Sequence, residues 1–264
     1  MTADSSHPIG VLDSGFGGLS VLRALRQQLP HENFVYIADC ENAPWGDKDD
    51  ESLEQRILFL VDRLLRKEVK VIVLACNTAS TMMHKTLEKM LPIPVIGIMP
   101  PLALAKNTTR NGKVGLMATQ KTVHSKTYNA LRRSYKTKID ITDIACSGLM
   151  ERVEMGDFTS EATQAVIREL TAPLKAAQVD TIALACTHYP FLIEPLQKEF
   201  PDVTFVEPSG LIAKKLANLL TKKKLHTTRE GDGTVTYITS GPNATRDHIL
   251  STIVGEKAHF LCLE

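Results

Sequence analysis

Two short stretches decide the reading of this chain: Leu74-Ala-Cys-Asn-Thr78 and, 110 positions later, Leu184-Ala-Cys-Thr-His188. Each closes an apolar run, Val71-Ile-Val-Leu-Ala75 in one case and Thr181-Ile-Ala-Leu-Ala185 in the other, of the length expected for a buried strand. Working outward, Ile9-Gly-Val-Leu-Asp13 is echoed by Val114-Gly-Leu-Met-Ala118, 105 positions later, and Val95–Ile98 by Val203–Val206 at a similar offset. One echo of this length could be chance. Three in the same order indicate two halves of one design.

The remaining pattern fills in the halves. Phe34–Ile37 reads as a further strand; Leu19, Leu22, Leu25 and Leu29 recur at helical spacing, as do Leu53, Ile57, Leu60 and Leu64. Beyond residue 98 helical stretches are expected near 120–135, 160–177 and 190–200. Strands alternating with helices imply mainly parallel sheets covered on both faces. The expected fold is therefore α/β: two similar, pseudo-symmetric three-layer domains, with the active site in the cleft between them. Residues 1–98 with 208–264 would form the first and residues 99–207 the second, with the strand-like Val235–Thr239 returning to the first domain.

Composition narrows the function classes. At 264 residues the chain can bury two modest cores. Hydrophobic residues make up 43% and charged residues 23%, ordinary for a soluble globular protein. Lys and Arg total 31 against 30 Asp and Glu, which gives no basic surface for a nucleic acid. No apolar run approaches the ~20 residues of a membrane span, and the polar Met1–His7 does not read as a secretion leader. Five scattered cysteines (Cys40, Cys76, Cys146, Cys186 and Cys262), none in a CxxC pair, fit reduced thiols in a cytoplasm rather than a disulfide scaffold or a zinc site.

Each Leu-Ala-Cys places its cysteine where a strand ends and a helix should begin. Asn77 and Thr78 suit the cap of one following helix and Pro190 the first turn of the other. A helix N-terminus lowers a thiol pKa from its usual ~8.5. A lone cysteine in such a strand is ordinarily a small buried hydrophobe. Two at equivalent positions invite a chemical reading. One is removal of a proton from one face of a carbon and its return to the other, by two groups with pKa near working pH. A redox disulfide and half of a metal site, with His188 as the nearby ligand, are the alternatives; neither accounts for the rest of the chain.

The rest of the chain carries a resemblance. Asp13-Ser-Gly-Phe-Gly-Gly18 lies between the first strand and first helix, where its glycines allow a tight turn and close approach to an anion. Alone it is a weak phosphate-loop lookalike. Together with Cys76-Asn-Thr78, Cys186-Thr-His-Tyr-Pro190, Pro44-Trp-Gly46, Val153-Glu-Met-Gly156, Ala118-Thr119 and Thr122-Val-x-Ser125, it resembles the cofactor-independent glutamate racemases of the aspartate/glutamate racemase family, over roughly residues 9 to 240.

The resemblance implies interconversion of L- and D-glutamate, supplying D-glutamate for peptidoglycan, in a cytoplasmic enzyme without pyridoxal phosphate or metal. Cys76 would take the α-proton of D-glutamate and Cys186 that of L-glutamate. Asp13 would assist the first thiol, and Glu154 and His188 the second. Ser14, Asn77, Thr78 and Thr187 would hold the substrate, with Trp45, Gly46, Thr119 and Thr122 completing the pocket. Trp45 departs from the family's usual Tyr, and Cys40-Glu-Asn42 is unusual after Asp39; Cys40, Cys146 and Cys262 match no family motif and read as structural. Family members are often homodimers. Two other readings remain open: a relative acting on aspartate or another amino acid, and a non-catalytic anion-binding module built on the Gly15–Gly18 loop.

Overall fold

The computed structural model describes residues 4–264. The first half opens with β1 (Ile9–Asp13), α1 (Leu19–Gln28), β2 (Phe34–Ala38), α2 (Asp50–Arg66), β3 (Val71–Leu74), α3 (Asn77–Met90) and β4 (Val95–Gly97). The second runs from α4 (Leu102–Thr108) and β5 (Lys113–Ala118) through α5 (Gln120–His124), α6 (Lys126–Tyr135) and β6 (Asp140–Ala145). It continues with α7 (Leu149–Glu154), α8 (Glu161–Ala176), β7 (Thr181–Ala185), α9 (Ile193–Glu199) and β8 (Thr204–Val206). The tail supplies α10 (Ser209–Lys223), β9 (Val235–Thr239), α11 (Ala244–Val254) and the short β10 (Leu261–Cys262).

Two sheets result, and every strand pairing in them is parallel. The first has the order β10-β9-β2-β1-β3-β4 and the second β6-β5-β7-β8. The four strands β2-β1-β3-β4 thus have the same order as β6-β5-β7-β8, and β9 and β10 extend only the first sheet, beyond β2. The echo in sequence is an echo in topology.

The apolar runs are explained by burial on both faces. β1, β2 and β3 are buried at every position. Alternate side chains of β1 enter different cores: Val11 packs with Leu22 and Leu25 of α1 and with Leu216 and Leu220 of α10, and Leu12 with Leu53, Ile57 and Leu60 of α2. β5 divides likewise, Leu116 packing with Leu102 of α4 and Tyr128 of α6, and Met117 with Val153 of α7 and Ile167 of α8. The packing of α10 on α1 returns the chain to the first sheet, where β9 pairs with β2.

Several local features differ from the sequence reading. Asp140-Ile-Thr-Asp-Ile-Ala145 is a strand although its polar residues hide it; it is an edge strand, so part of it meets solvent. The helical stretch at 120–135 is broken at Ser125, whose side chain accepts from Tyr128 N–H and starts a new helix. The stretch at 190–200 begins as a 3₁₀ turn at Tyr189–Leu192, with Pro190 in it. Asn77 and Thr78 do not cap α3: Cys76 is itself the N-cap, with no side-chain cap bond.

Candidate active site

β3 and β7 occupy equivalent places in the two sheets, so the residues just beyond them are brought to equivalent places at the carboxyl ends of the strands. Cys76 and Cys186 both line one narrow cleft, and each is nearly inaccessible to solvent. Around them the cleft is formed by Ser14, Trp45, Gly46, Asn77, Thr78, Thr119 and Thr187. Asp13, Glu154, His188 and Thr122 stand one layer back. Met150 and Ala185 also line the cleft. Ala185 lay within the repeated Leu-Ala-Cys pattern; Met150 carries no sequence signal, being placed only by the start of α7.

The two thiols have different company. Cys76 Sγ lies 3.9 Å from Ser14 Oγ. Burial, followed by the negative charge of Asp13, pushes its pKa up to about 12, against the weaker pull of the Ala79 N–H at the start of α3. The lowering expected from the helix terminus alone is overruled, because a dry site beside a carboxylate disfavours a second anion. Asp13 is itself fully buried. It accepts from Gly15 N–H at 3.0 Å and from the Thr187 hydroxyl at 3.1 Å, and burial raises its pKa, with the charge of His188 working the other way.

Cys186 faces an imidazole instead. Its Sγ lies 3.7 Å from His188 Nδ1, and His188 Nε2 lies 2.7 Å from Glu154 Oε1. Burial alone would lower the histidine's pKa, but hydrogen bonding to Cys186 and Glu154 outweighs it and holds the imidazole well above its usual value. Nδ1 of the ring thus faces the sulfur and Nε2 faces Glu154, with the Gly17 N–H 3.3 Å from the same Nε2. Glu154, which could have been one more solvated carboxylate, also accepts from the Phe16 N–H at 2.6 Å and so ties the second half to the glycine loop of the first.

That loop explains its glycines. A Cβ at position 15 would run into the Glu154 carboxylate, and one at position 17 into His188 and Thr187. On the other side, Thr78 Oγ1 lies 3.0 Å from Thr119 Oγ1, and Thr119 Oγ1 donates to Thr122 Oγ1 at the same distance. Asn77 stands apart: it is buried, yet neither end of its amide has a hydrogen-bond partner. Leaving such a group unpaired costs about 1–3 kcal/mol, which is tolerated where a ligand completes it.

Cys40 and Cys146 are buried in the packing of the two halves and Cys262 is exposed on β10. Among the described residues no group of three or more His, Cys, Asp or Glu side chains could hold a metal ion, and no helix is long and apolar enough to cross a membrane.

Two matching parallel sheets, with a cysteine beyond the equivalent strand of each and one cleft lined by both, define a two-lobed α/β protein. The chain belongs to the Asp/Glu/Hydantoin racemase family, which it matches over residues 9–216. It is 36% identical over 258 residues to a glutamate racemase of Stutzerimonas stutzeri strain A1501, covering 97% of each chain. It superposes with a TM-score of 0.89 on the crystal structure of a glutamate racemase isoform from Bacillus anthracis, at 31% identity and over 98% of this chain and 97% of that one. With the glutamate racemase of Francisella tularensis subsp. tularensis, crystallised in complex with D-glutamate, the TM-score is 0.87 at 26% identity, over 98% of each chain.

Proposed function

We propose that this racemase interconverts L- and D-glutamate by a two-base route through Cys76 and Cys186, with neither pyridoxal phosphate nor a metal. The observation that carries the reading is the placement of both thiols on one cleft at equivalent strand ends. In the L-to-D direction the Cys186 thiolate takes the α-proton, the C–H electron pair passes toward the substrate carboxylate, and the Cys76 thiol gives its proton to the opposite face. The return reaction exchanges the roles.

The surroundings suit this division. Cys76, with its pKa at about 12, holds a proton to give. For the D-to-L direction that proton must leave, and the substrate ammonium entering beside the sulfur supplies a positive charge that favours the thiolate. Asp13 assists at this thiol, and His188, held by Glu154, assists at Cys186. Ser14, Asn77, Thr78 and Thr187 bind the substrate and offset the charge that develops on its carboxylate. Trp45, Gly46, Thr119 and Thr122 complete the walls.

The same reading assigns residues 1–98 with 208–264 to one domain and 99–207 to the other. It places the enzyme in the cytoplasm, as a pair of identical subunits supplying D-glutamate for peptidoglycan. The test is deuterium uptake at the α-carbon of L- and D-glutamate in D₂O without added cofactor. The native chain should exchange and invert both enantiomers, and Cys76→Ser and Cys186→Ser should each lose racemisation by roughly 10³-fold or more. Exchange with aspartate and none with glutamate would keep the mechanism and move the substrate; no exchange with any amino acid would overturn the reading.

A further inference from the structure

The cleft wall at Trp45–Gly46 is held by residues that no motif pointed to. Asp39 follows β2 directly, and its N–H donates to the carbonyl of Asp13 at 3.1 Å, fixing it beside the catalytic loop. Its carboxylate is wholly buried. Arg56, from α2, donates to it twice, Nε to Oδ2 at 3.0 Å and Nη2 to Oδ1 at 2.5 Å. Asn42 adds a third bond at 3.0 Å, and the indole N–H of Trp45 a fourth at 3.1 Å. The guanidinium is braced from behind, its Cζ 4.9 Å from the centre of the Phe59 ring.

Trp45 is thus fixed at both ends. Its ring packs with Leu53 and Ile57 from α2, the helix that also carries Arg56, and its only polar atom is bonded to Asp39. The next residue, Gly46, abuts the second half so closely that an added Cβ would stand 3.0 Å from the Thr119 Cβ. A shift of the indole is therefore a shift of the cleft wall against Thr119.

We propose that Asp39 and Arg56 are positioning residues: their buried ion pair, acting through the indole N–H of Trp45, sets where the Trp45–Gly46 wall stands and so how tightly the cleft closes on its substrate. Neither residue touches the cleft itself. A forked guanidinium on a buried carboxylate fixes orientation as well as charge, which a lysine ammonium does not. This rests on the substrate reading above, but part of its test does not depend on it. Trp45 is the sole tryptophan of the chain, so selectively excited tryptophan emission reports this wall alone.

The experiment compares the native enzyme with Arg56→Lys, Asp39→Asn and the double variant, by tryptophan emission without substrate, by thermal melting, and by glutamate kinetics. Loss of the fork should shift the emission to the red in the free protein. It should also raise KM for glutamate by roughly tenfold with kcat changed less than about threefold, the mark of lost ground-state and transition-state binding alike. Because the two residues act as one unit, the double variant should be little worse than the poorer single one. Arg56→Lys keeps the charge opposite Asp39, so this variant remains readable if Asp39→Asn folds poorly. An unmoved emission spectrum in folded Arg56→Lys overturns the proposal, as does a lowered melting temperature with KM unchanged. If the native chain fails to racemise glutamate, the function proposed above fails, and the emission comparison still decides the position of Trp45.

Discussion

The ends of β3 and β7 are one structural position furnished in two ways. Both strands are buried parallel strands of equivalent rank in their sheets, and both lead into a cysteine. Beyond Cys76 comes a regular helix and beside it lies Asp13, so an acid meets an acid in a dry place and the proton stays on sulfur. Beyond Cys186 comes a 3₁₀ turn, with His188 at its start against the sulfur and Glu154 behind it, so the second thiol faces an imidazole whose pKa is raised by those two partners. The lesson is that the duplicated fold supplies the matching strand ends, while the residues beside each thiol give it different company. Chemistry on two faces of one carbon needs the first to be symmetric and allows the second not to be.

The sharpest way to break the comparison is to remove each partner separately. We expect Asp13→Asn and His188→Gln each to lower kcat by roughly 10²-fold, the usual contribution of a positioned proton-transfer group. Because the two enantiomers have equal free energy, kcat/KM must stay equal in both directions, and the asymmetry will appear in isotope effects. Asp13→Asn should enlarge the α-deuterium effect chiefly with D-glutamate, and His188→Gln chiefly with L-glutamate. Equal enlargement with both substrates would mean that the two surroundings do not divide the work.

Gly17→Ala tests the contact between the halves. Its methyl would meet His188 and Thr187, so the loop or the second half must move. The expected cost is about 1–3 kcal/mol of stability, read by denaturant melting, together with a fall in kcat. Preserved activity would show that the loop can retreat without moving His188.

The pH dependence of stability gives a smaller effect with a definite sign. His188 binds its proton more tightly folded than unfolded, because its pKa is raised above the usual 6.5. Its contribution is complete below that value and is lost as pH rises through the folded value. Native melting temperatures should therefore decline from pH 6 toward pH 9 more steeply than those of His188→Gln; parallel curves would place no such proton on His188. Smallest of all, Gly210→Ala lies on α10 with open space around the added methyl. It should stabilise the chain by about 0.5 kcal/mol without altering kinetics, as a control for glycine replacement outside the site.

Much of the fold was legible because burial on both faces writes continuous apolar runs, as at Val71–Leu74 and Thr181–Ala185. β6 escaped notice because an edge strand needs no such run, and α10 and α11 because they follow the repeated units and have no echo. Within the site, the thiols, the glycine loop and the residues around Trp45 and Thr119 were legible as motifs. Asp39 and Arg56 were not: they are 17 positions apart, and nothing in a lone Asp or Arg announces a buried fork.

The sequence by itself determined the duplicated α/β pattern, the parallel strands and the two thiols at matching strand ends, because period and burial are local properties that repetition makes visible. Only the tertiary structure decided how those thiols differ. Whether a cysteine keeps its proton depends on how dry its place is and which charge stands beside it. Those neighbours, Asp13 for Cys76 and the His188–Glu154 pair for Cys186, are assembled across chain distances that no local pattern records.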